Sequence, residues 1–180
     1  MRVVNVLDTG IFHGIGKPPS AAYDDLETII TEHTVEIQLP RPIYAELGGD
    51  PTADQQPSGS DYVDQAIRDG WIDIAAPVAD SEPVDATVQD ARHVMESAIT
   101  HGKTAVFAED HSLIGVTMQL FERAENIHVN LFTTDLPLQQ AAAAVVPSYG
   151  YYDFDVYFAP PQSVSTLLHP SHFTAGYRSE

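Results

Sequence analysis

The sequence predicts an α/β domain, a mainly parallel central sheet with helices on both faces. Three observations carry this. Short apolar runs of strand length recur at residues 3–7, 35–39, 71–75 and 127–132. The stretches between them place apolar residues at helical spacing. The two kinds alternate over most of the chain, as crossover connections in a parallel sheet require.

Taken in order, residues 3–7 form an apolar run that ends at Asp8 and reads as a buried first strand. Tyr23, Leu26, Ile29 and Ile30 mark a helix over 21–32. After the strand at 35–39, Pro40 and Pro42 open a helix running through Ile43, Tyr44 and Leu47, and Gly48 and Gly49 end it. Residues 50–60, dense in Pro, Gly, Ser and Asp, read as a loop. A helix over 61–68 stops at Gly70 and precedes the strand at 71–75. The stretch 85–100 is amphipathic, with Val88, Ala91, Met95 and Ile99 on one face, and Gly102 closes it. Residues 110–122 are apolar on nearly all sides and predict a core helix. The strand at 127–132 and a helix at 136–145 follow, then an edge strand within 151–158 and an irregular end from Pro160. The expected organisation is a functional domain over 1–146, with 147–180 supplying an edge strand and a tail packed on it.

With 180 residues, 43% of them hydrophobic, the chain suffices for one domain with a substantial core. No apolar run approaches membrane-spanning length, and the N-terminus reaches Asp8 too soon for a signal peptide, so the protein is read as soluble and cytoplasmic. There is no cysteine, which excludes disulfides, thiolate nucleophiles and cysteine-ligated zinc. There is no G-x-S-x-G elbow and no P-loop. Any metal must therefore sit on carboxylates, histidines or carbonyls. The formal net charge is −18, and Lys17 and Lys103 are the only lysines. Such a chain either never meets nucleic acid or works in molar salt, where the Debye length falls to about 3 Å. The acids are spread along the whole chain rather than gathered in a tail, which favours the second explanation and a halophilic source.

The acids at element ends then stand out. Asp8 ends the first strand, and Asp135 lies just past the strand at 127–132. In a parallel sheet these ends share one edge. Asp110 falls in the first turn of the core helix, and Glu46 lies on the helix opened by Pro40 and Pro42. Converging carboxylates repel unless a cation joins them, and hard divalent cations take oxygen ligands. Asp8 also suits a strand-end cap, and Asp135 an N-cap. Asp153 and Asp155 read as the wet face of an edge strand, and His13, His111 and His128 as satisfied histidines. The aromatics from Tyr149 to Phe158 read as a packed terminal strand.

In these residues the sequence resembles the PIN-domain nucleases. Val6-Leu7-Asp8-Thr9 is similar to the family's opening strand and first acid, and Leu39 through Leu47 to its helix bearing the second. Asp110-His111-Ser112-Leu113-Ile114 resembles its acidic helix start, and Thr133-Thr134-Asp135 its T-x-D turn. The turn and the stretch Ala66 to Ile72 look most like archaeal PIN endoribonucleases, without the cysteine zinc ribbon of the rRNA-maturation branch. The resemblance covers about residues 2–146.

It implies a PIN-like fold and a ribonuclease that hydrolyses RNA phosphodiesters by metal-assisted attack. Mg²⁺ or Mn²⁺ would be held by Asp8, Glu46, Asp110 and Asp135, with Thr9 and Thr133 supporting the ligating groups and Arg41 a candidate RNA contact. The alternative is a PIN-like RNA-binding or scaffold module that no longer cleaves. The expected partners are RNA, an antitoxin or ribosomal protein, and a second copy in a homodimer; no membrane is expected.

Overall fold

The computed structural model describes residues 1–50, 52, 62–98 and 108–176. Five strands make one wholly parallel sheet: β1 (Arg2–Leu7), β2 (Glu36–Leu39), β3 (Ile72–Ile74), β4 (Ile127–Thr133) and β5 (Phe154–Phe158), in the order β3-β2-β1-β4-β5. The helices are α1 (Thr9–Ile15), α2 (Ala21–His33), α3 (Arg41–Glu46), α4 (Tyr62–Arg68), α5 (Glu82–Ala98), α6 (Ala108–Arg123), α7 (Leu136–Ser148) and α8 (Pro170–Phe173), with a 3₁₀ turn at Pro161–Leu167. The alternation read from the sequence is thus an α/β fold, with α5, α6 and α7 packed together on one side of the sheet and α1, α2, α8 and the 3₁₀ turn on the other.

Strand burial follows position. Every residue of the interior strand β4 is buried, as a strand covered on both faces must be. The edge strand β5 is only partly buried. The helix α6 puts Leu113, Ile114, Val116, Met118 and Phe121 into the core, as its apolar surface requires. Ser20 caps α2 by accepting from the Tyr23 amide, and Pro42 occupies the first turn of α3, where a missing N–H costs nothing. Among the described residues, no helix is long and apolar enough to cross a membrane.

Three features differ from the sequence reading. First, a helix, α1, follows Asp8 over residues to which the sequence pattern assigned no element. Its two glycines argue against a helix by propensity, yet both are close-approach positions. A Cβ on Gly14 would stand 2.4 Å from Val164 Cγ2, so glycine lets α1 lie flush on the 3₁₀ turn. Second, among the described residues the segment after Pro160 is not wholly irregular. The 3₁₀ turn and α8 carry Val164, Leu167 and Phe173 into the core. Phe173 stacks on Phe132 with centroids 4.5 Å apart, and Phe132 stacks on Tyr157 at 5.0 Å. Third, the run at 3–7 is not wholly apolar inside the sheet. Asn5 is fully buried opposite an equally buried Asn130 on β4.

Candidate functional site

The strand order fixes where the site lies. From β1 the sheet grows one way through β2 to β3 and the other way through β4 to β5. The connections leaving β1 and β4 therefore diverge and open a crevice outside their carboxyl ends, the habitual ligand position in such sheets. Leu7 pairs with Phe132 in register, and the Asp8 amide continues the ladder by donating to the Phe132 carbonyl at 3.0 Å. Asp8 and the Thr133–Asp135 turn are thus set side by side by strand pairing.

Asp8 is 8% exposed. It occupies the N-cap position of α1, but its side chain makes no capping bond. Its Oδ2 instead accepts from the Thr133 hydroxyl at 2.8 Å and from the Thr134 amide at 3.4 Å. The same Thr133 hydroxyl accepts from the Asp135 amide at 2.9 Å. One oxygen therefore ties together the two segments that carry Asp8 and Asp135. Asp135 itself caps α7, its Oδ1 accepting from the Leu138 amide at 2.9 Å, as an aspartate before a helix should. Gly10 completes the arrangement: a Cβ there would stand 1.8 Å from Thr134 Oγ1, so only glycine lets the first turn of α1 pass against the turn after β4.

Glu46 closes α3 and accepts from the hydroxyl of Thr9, the residue next to Asp8. The helix is anchored from its buried side, where Tyr44 donates to the buried Asp64 of α4. Burial, then this hydrogen bond, pushes the Tyr44 hydroxyl well above its ordinary range, so it remains a donor throughout the working pH range. Asp110 falls in the first turn of α6, and its side chain lies outside the described residues.

Asp8, Glu46 and Asp135 have no cationic side chain paired with them among the described residues. The donors at this edge are carboxylate and hydroxyl oxygens, which suit a hard divalent cation and not a soft one. Among the described residues, no three Asp, Glu or His side chains stand close enough together to hold a metal ion.

Arg41 is half-buried in the wall of a cavity of about 410 Å³, with Pro42, Pro77, Val78, Val88 and Ser112, just past the carboxyl ends of β2 and β3. His128 is the second residue of β4, paired with Val3 at the end of the strands opposite Asp8, and its Nε2 lies 3.1 Å from Asn130 Oδ1 and 3.0 Å from Asp155 Oδ2. The side chain of His111 lies outside the described residues. Tyr151 and Phe154 pack on Phe121, whereas Tyr152 is exposed. Two contributors escaped sequence reasoning, the Thr134 amide and Gly10. A backbone donor leaves no side-chain signal, and the glycine is explained only by a contact 124 residues away in the chain.

Residues 1–166 match the model of a protein family described as the Halobacterial PIN domain. No curated protein and no solved structure matches the chain.

Proposed function

We propose, from the premise that the chain belongs to the halobacterial PIN-domain family, that it is a divalent-metal-dependent endoribonuclease acting at the crevice between β1 and β4. Membership implies a nuclease-type function; the metal, the RNA substrate and the residue roles are our reading. The observation that carries it is the Thr133 hydroxyl joining Asp8 to the Asp135 turn, with no cation paired to either acid among the described residues. Such an arrangement is costly as a purely structural device and is relieved when a cation arrives.

In this reading Asp8, Glu46, Asp110 and Asp135 hold Mg²⁺ or Mn²⁺. The ion, when bound, supplies activation of water and neutralisation of charge on the phosphoryl group. Thr133 keeps one Asp8 oxygen turned toward β4, so the other is presented in a fixed direction. Thr9 does the same for Glu46. The family match also agrees with the acidic composition, since in molar salt a screening length of about 3 Å lets a polyanion approach a chain of net charge −18.

The test is cleavage of single-stranded RNA in molar KCl with Mn²⁺. Cleavage that disappears on chelation and in Asp8→Asn supports the reading. Tight RNA binding without cleavage would select the scaffold module instead.

A further inference from the structure

A cleft of about 420 Å³ opens beside Glu46, lined by Phe12 and His13 of α1, Lys17 just beyond it, and Glu46, Leu47 and Gly48 at the end of α3. We propose that this cleft seats one nucleotide of the single-stranded RNA chain, flanking the bond to be cut, with Lys17 holding its phosphate. The proposal rests on the ribonuclease reading and adds where the substrate lies and which cation places it.

Charge is the first argument. The sequence holds 26 acidic residues against 8 cations, so at contact distance, where screening does not reach, few side chains can attract a phosphate. Lys17 is the one lysine among the described residues, and it faces this cleft. On such a surface the position of a cation decides where a polyanion can rest. His13 on the same wall adds a ring nitrogen able to donate to a phosphate oxygen.

Continuity with the acid edge is the second argument. Glu46 belongs both to the cleft wall and, through the Thr9 hydroxyl, to the segment that begins at Asp8. A nucleotide resting here has its backbone directed along α1 toward the crevice between β1 and β4. The third argument is size and lining. The volume lies within the range of about 300–1,000 Å³ typical of small-molecule sites. Phe12 and Leu47 supply an apolar floor, and the charged groups stand at the walls, which matches a nucleotide's apolar base face and anionic phosphate. Pro18 follows Lys17 and restricts its backbone to extended conformations, which limits how far the cation can wander from the wall.

The experiment measures KM and kcat for a short single-stranded RNA over a series of KCl concentrations with Mn²⁺. In Lys17→Gln, KM should rise about tenfold with kcat within about twofold, the loss of one charge-assisted contact. The dependence of log KM on log salt should become shallower by about 0.7, the share of one phosphate contact on a single strand. Lys17→Arg should restore both, and Arg92→Gln, in a surface pair with Glu96 on α5, should change neither. A Lys17→Gln enzyme that cleaves with unaltered KM and salt dependence overturns the cleft assignment and leaves the nuclease intact. A wild-type chain that does not cleave RNA removes the ribonuclease reading, and this inference with it.

Discussion

The strand pair β1–β4 carries two buried polar networks, and they are built on opposite principles. Midway along the pair, Asn130 Nδ2 donates to Asn5 Oδ1 at 3.1 Å and to the Ala175 carbonyl at 3.4 Å. Asn5 Nδ2 donates to the carbonyls of Glu36 at 3.0 Å and Phe173 at 3.2 Å. Its core is neutral amides matched to carbonyls, and it stitches the C-terminal segment to the sheet. At the carboxyl end the second network is formed by Asp8, Thr133 and Asp135, in which carboxylate oxygens outnumber the donors offered to them. A satisfied network specifies a fold, whereas one with surplus negative charge is poised for a ligand. The two should therefore respond in opposite ways to substitution.

The largest effect is expected at Asp8. Asp8→Asn should lower Mn²⁺-dependent cleavage by roughly a hundredfold or more, while the metal-free thermal midpoint stays the same or rises, because a buried charge has been removed. Mn²⁺ at about 100 times its dissociation constant should stabilise the wild type by about 2.7 kcal/mol and the variant by much less, read by thermal melts with and without the ion. Thr133→Val should come next, with a loss of about 10–100-fold in cleavage through misdirection of Asp8, and little of it recovered at saturating RNA. In the neutral network the sign reverses. Asn130→Ala should cost about 1–3 kcal/mol in denaturant unfolding, since partners are left buried and unpaired, and any enzyme still folded should retain its kcat.

The smallest expected effect lies outside both networks and serves as their control. Burial, then Glu27, Asp69 and Asp24, pushes the Tyr23 hydroxyl up to about 12 from 10.0. Its folded value lies above its unfolded one, so the stability it contributes is complete below pH 10 and is lost as pH rises through about 12. Tyr23→Phe should remove this part of the alkaline loss. Trp71, whose ring centroid is 5.7 Å from that of Tyr23, reports it by fluorescence.

How much of this was legible in the sequence depended on whether the determining contact was local. The β4 strand, the Thr-Thr-Asp turn and the cap on α7 are determined within a dozen residues, and their pattern could be read directly. The pairing that brings Asp8 beside Thr133 followed from the parallel sheet, because strand ends of one sense share an edge. By contrast α1 was hidden by Gly10 and Gly14, which propensity counts against a helix although distant contacts demand them. Asn5 was hidden inside an apolar run, since its partners, Asn130 and the Phe173 carbonyl, lie over a hundred residues away. Lys17 gave no signal in the chain, because its meaning comes from the cleft it faces.

The stitching of Phe173 and Ala175 onto β1 and β4 has a consequence for how the chain is made. Within this domain β1 does not receive its last hydrogen bonds until Phe173 is in place, so the sheet cannot lock before that segment has been made. A chain stopped at 166, where the family match ends, would leave Phe132 stacked on Tyr157 alone and Asn5 short of one acceptor.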